Sequence, residues 1–110
     1  MSLSFNTSDP SSLLNKFKRA IDEGKVRTWS YDADGDFTHT PDQWSKKAWM
    51  RPSVAFGKLD FNIVAPKAQG VSWEVYGVYH GRLAESVTAH FHDSFALASA
   101  TSRPTSGDLV

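Results

Sequence analysis

The chain has 110 residues, enough for one domain with one modest core. Hydrophobic residues make up 40% and aromatics 13%, richer than a disordered chain, while 12 basic and 12 acidic side chains cancel, which argues against general binding to a phosphate backbone. Cysteine is absent, which excludes disulfides, thiolate metal sites and a cysteine nucleophile and leans towards a reducing compartment.

The opening "MSLSFNTSDP" has no apolar core of signal-peptide length, and no apolar run approaches the roughly 20 residues of a membrane helix. A soluble, cytoplasmic protein is expected. Residues 9–24, "DPSSLLNKFKRAIDEG", carry the clearest helix signal. Asp9 suits the N-cap, Pro10 the first turn and Gly24 the stop, and Leu13, Leu14, Phe17, Ala20 and Ile21 form one apolar stripe.

"KVRTWSYD" (25–32) reads as a strand, and "DFTHT" returns as its partner. Between them, Asp32, Asp34 and Asp36 alternate as in a calcium loop, but Gly35 and Phe37 break that pattern. "DG" between two strands is instead a hairpin signal, so an exposed turn with at most weak cation binding is expected. "TPDQWSKKAW" then offers a short helix, with Thr40, Pro41 and Gln43 as a capping box.

Residues 48–52 read as a brief strand or an irregular connection. Alternation over 55–65 predicts a half-buried strand, "PKAQG" (66–70) a hairpin turn, and "VSWEVYGVY" (71–79) the returning strand. Lys58, Asp60 and Glu74 would form a charge ladder across that hairpin. Leu83, Val87, Phe91 and Phe95 recur every four residues and predict a second helix over about 82–97. The last segment, "SATSRPTSGDLV", is small and polar and reads as a flexible tail over 99–110 beyond a single domain 1–98. These elements predict an α+β two-layer sandwich, with an antiparallel sheet of about four strands and two main helices on one face.

No nucleophile elbow, phosphate-binding glycine loop or zinc motif is present. His90 and His92 point apart on a helix, and zinc needs three or four convergent ligands, so no metal or other cofactor is expected. Four tryptophans are many for this length: Trp73 and Trp29 suit the core, and Trp44 and Trp49 flank Lys46 and Lys47 and lead to Arg51. Aromatics interleaved with cations suit a partner hot spot or single-stranded nucleic acid. Tyr76, Tyr79, His80 and Arg82 cluster where a strand would pass into a helix, a place for a small-molecule or enzymatic site.

The whole reads as a small bacterial-type domain. Its leading function is a non-enzymatic protein-interaction module that self-associates as a homodimer or takes another protein. Nucleic-acid binding through 44–51 and a ligand site at 76–82 are the alternatives.

Overall fold

The computed structural model describes residues 1–110. It is an α+β fold with an antiparallel sheet and two helices. The strands are β1 (Leu3–Asn6), β2 (Trp29–Tyr31), β3 (Phe37–His39), β4 (Trp49–Ala55), β5 (Lys58–Val64) and β6 (Leu97–Ala100). The helices are α1 (Pro10–Asp22) and α2 (Trp73–Phe91). The sheet therefore has six strands where about four were expected, in the order β2-β3-β4-β5-β1-β6. No helix is long and apolar enough to cross a membrane.

Helix α1 forms as its end signals dictate. The Asp9 carboxylate accepts from Ser12 N at 3.1 Å, Pro10 occupies the first turn, and Gly24 adopts φ +75° beyond the C-cap. Its buried stripe is Leu13, Phe17 and Ala20.

Three central assignments change. The sheet reverses at Phe56–Gly57, where Gly57 has φ +75°, so residues 49–55 and 58–64 form one hairpin with Arg51 opposite Asn62 and Ser53 opposite Asp60. The expected strand 71–79 belongs mostly to α2, which Ser72 caps by accepting from Val75 N at 3.1 Å. Its buried residues, Tyr76, Tyr79, His80, Leu83 and Val87, follow helical spacing that packing favours over the local alternation. Glu74 thus lies on a helix and leaves the ladder, while Lys58 Nζ stands 3.8 Å from the buried Asp60 carboxylate. The expected short helix after Thr40 is a single turn closed by Trp44 N to Pro41 O at 2.8 Å. The Thr40 hydroxyl donates to Arg27 O at 2.8 Å instead of capping, and Lys46 at φ +60° ends the turn.

The two chain ends meet. β1 lies between β5 and β6, with Leu3 opposite both Phe61 and Ala100. β6 runs across the expected domain boundary at 98, and residues beyond it are hydrogen-bonded to the fold. Asp108 accepts from Ile63 N at 2.8 Å and from Ser2 Oγ at 3.0 Å, and Leu109 N donates to Ile63 O at 2.9 Å.

One apolar cluster joins both helices to the strands. A chain of rings runs through it: Phe95 to Phe5 (5.2 Å), Phe5 to Phe61 (5.9 Å), Phe61 to Phe37 (6.1 Å), Phe37 to Phe17 (5.2 Å) and Phe17 to Phe91 (6.5 Å). The aromatic surplus is thus largely core filling. Trp29 is buried as expected, whereas Trp73 is 68% exposed because it starts α2 on its outer side.

Candidate functional site

The aspartate turn is used structurally. Gly35 takes φ +83°, and the Asp32 carboxylate accepts from Asp34 N and Asp36 N, each at 3.0 Å. Asp36 is buried rather than exposed, because the Arg51 guanidinium grips it with two bonds of 3.0 Å. That bond holds the Arg51 pKa above its ordinary value, and the cation is committed to Asp36. Two of the three Arg51 guanidinium nitrogens are thereby occupied, while its side chain stays 47% exposed. Of its companions, Lys46 and Lys47 are exposed, and Trp44 and Trp49 are half-buried.

The 76–82 group sits in mid-helix, not at a strand–helix junction. Tyr76, Tyr79 and His80 are buried and only Arg82 is exposed. Tyr79 donates its phenol proton to Trp44 O and lies 2.9 Å from Thr38 Oγ1, so it ties the 38–48 segment to α2. Tyr76 and His80 stack at 4.0 Å, and Tyr76 donates to Thr101 O at 3.0 Å.

His80 Nδ1 is 2.7 Å from Tyr76 O and must donate there, which leaves Nε2, 2.8 Å from Ser2 Oγ, as an acceptor in the neutral ring. A serine beside a carbonyl-oriented histidine has the outline of a nucleophile and base. Ser2 is 1% exposed and His80 4%, and neither lines a cavity, so the pair acts as a clasp between β1, α2 and Asp108. The Ser2 hydroxyl has one proton to share between His80 Nε2 and Asp108 Oδ1. Burial lowers the His80 pKa and keeps the ring neutral at pH 7.

Of four surface clefts, two contain a histidine beside other polar side chains. A groove of about 310 Å³ between α1 and the end of α2 is lined by Lys16, Arg19, Lys25 and His90, with Glu23 bridged to Lys25 at 3.1 Å. These are exposed surface side chains with no buried polar group among them.

The second is a cleft of about 210 Å³ lined by Thr28, His39, Pro41, Trp44, Arg82 and Glu85. It brings Trp44 and Arg82 together, from two segments whose sequence signals were separate. No local sequence pattern marks His39. It is 4% exposed, with Trp29 packed on its ring at 4.7 Å and Tyr79 edge-on at 6.1 Å. Nδ1 lies 2.7 Å from Thr28 O and donates to it, so Nε2 carries a lone pair. Burial lowers the His39 pKa, with the Thr28 bond opposing. Arg82 and Glu85 pair at the rim at 3.1 Å.

Comparison with protein-family models, with curated proteins and with solved structures gave no match, so the chemistry of these side chains carries the functional reading.

Proposed function

We propose that this protein is a non-enzymatic interaction module that pairs with a second copy of itself through β6. In this reading the two helices cover one face of the sheet in a two-layer arrangement, the opposite face stays open, and the protein works in the cytoplasm. The absence of cysteine supports that compartment.

The observation that carries the proposal is the edge of β6. The strand is last in the sheet order, and its sequence, Leu-Ala-Ser-Ala, carries no charge or proline that would guard it. Thr101 N donates to Ser2 O at 2.8 Å, so by antiparallel alternation Ala98 and Ala100 turn their backbone groups to the free edge. Antiparallel pairing of β6 with the same strand of a second copy is two-fold symmetric and brings no like charges together. Asn6 pairs with both Leu97 and Lys58, which sets β6 and the Phe56 turn at one end of the sheet. Leu97 is 56% exposed on β6 itself, apolar surface that pairing would bring against the second copy.

Sedimentation equilibrium across a concentration series tests the proposal. A dimer that dissociates on dilution is expected, and Ser99→Lys, which puts a lysine of each copy at the two-fold axis when Ala98 pairs with Ala100 of the second copy, should leave a folded monomer. A wild-type monomer at the highest concentration would refute self-association.

A further inference from the structure

We infer that the His39–Trp44–Arg82 cleft is a binding site for a small neutral polyhydroxyl ligand of the sugar or polyol class. The inference is independent of pairing through β6. It starts from an atom without a partner. His39 Nε2 makes no hydrogen bond within the protein, yet it is not among the sealed, unpartnered polar atoms, which are Trp29 Nε1, Asp60 Oδ2 and Asn62 Oδ1. Its open side is therefore the cleft that His39 lines. A histidine 96% removed from solvent (4% exposed) that keeps a lone pair towards a cleft is set to receive a donor.

The rest of the lining decides which donor. Nε2 of the neutral ring accepts, so it turns away ionised carboxylate and phosphodiester oxygens, which bring only acceptors. An ammonium ligand would meet Glu85 but also Arg82. These two charges already neutralise each other at 3.1 Å, so the rim offers one strong donor and one strong acceptor with no net charge. Neighbouring hydroxyls suit that pair, because each hydroxyl both donates and accepts. Thr28 adds a further hydroxyl, while Trp44 and Pro41 supply an apolar wall for the C–H face of a ring. The Trp44 side is held in place from behind, since its carbonyl accepts the phenol proton of the fully buried Tyr79.

The groups around His39 are all accounted for. Thr28 holds Nδ1 from the β2 side, Trp29 covers the ring, Tyr79 approaches from α2, and Arg82 and Glu85 are the charges that face it. Protonating His39 converts Nε2 from acceptor to donor; a hydroxyl can turn to accept from it, so polyol binding should depend little on pH, whereas binding of an anion would strengthen as the ring becomes charged.

The test uses the full chain, labelled with nitrogen-15, and two probes, methyl β-D-glucopyranoside and myo-inositol, with inorganic phosphate as the contrast. Addition of at least one probe at pH 7.5 should move the His39 Nε2 and Trp44 indole signals together and saturably, with affinity in the millimolar range. Binding should change less than about threefold when His39 is protonated, since a hydroxyl can accept from the charged ring, and Arg82→Ala, at an exposed position that leaves the fold intact, should weaken it about tenfold. Absence of a saturable shift with either probe would overturn the inference. So would a shift that Arg82→Ala leaves unchanged, or phosphate binding at this cleft that tightens as pH falls.

Discussion

Replacing Asp108 by alanine removes the side chain that fastens the C-terminal segment to the sheet. Oδ1 accepts from Ile63 N at 2.8 Å and from Ser2 Oγ at 3.0 Å, and Oδ2 accepts from Thr105 Oγ1 at 3.2 Å. Ile63 is fully buried, so its orphaned N–H costs about 1–3 kcal/mol. The bonds to Ser2 and Thr105 add about 1 kcal/mol between them. A loss of about 3 kcal/mol is expected, a large share of the roughly 5–15 kcal/mol that holds a small domain together. Asp108→Asn keeps an acceptor for Ile63 N and should lose about half as much. Urea unfolding gives the free energies, and amide exchange at Ile63 reports the local opening. A loss below about 0.5 kcal/mol with unchanged Ile63 protection would refute the view that residues 105–109 are integral to the sheet.

Acid should destabilise the protein through its two buried histidines. Burial lowers the pKa of both His39 and His80, so the unfolded chain binds more protons than the native state below about pH 6.5. The stability they contribute is fully present above that value and is lost as pH falls, by at most about 1.4 kcal/mol per pH unit for each ring. Urea unfolding at pH 7.5 and 5.5 should show the loss, and His80→Gln should reduce it. An equal loss in the variant would assign the effect elsewhere. Gly57→Ala should cost about 1 kcal/mol purely from its φ of +75°, since no atom lies within 4 Å of an added Cβ; unchanged thermal unfolding would refute the turn geometry.

How much was legible in the sequence follows the range of the interactions. Helix α1 was readable because Asp9, Pro10 and Gly24 act within one turn. The Gly35 hairpin was readable for the same reason. β1 and β6 were not, because each is four residues long and their pairing, Leu3 with Ala100, spans almost the whole chain. "VSWEVYGVY" favours a strand locally, and only its packing through Tyr76, Tyr79 and His80 makes it helical. The candidate site shows the same limit. Trp44 and Arg82 were singled out for unrelated reasons, and the cleft they share with His39 exists only once β3 lies against α2. Arg51 looked like a free cation because its partner, Asp36, is 15 residues away.

The most direct test of pairing through β6 is amide hydrogen exchange at Ala98 and Ala100 as a function of protein concentration. Their N–H groups face the free edge and should exchange fast when dilute. Protection that rises with concentration, in step with the dimer fraction, is the predicted result. Fast exchange at both residues at every concentration would contradict it.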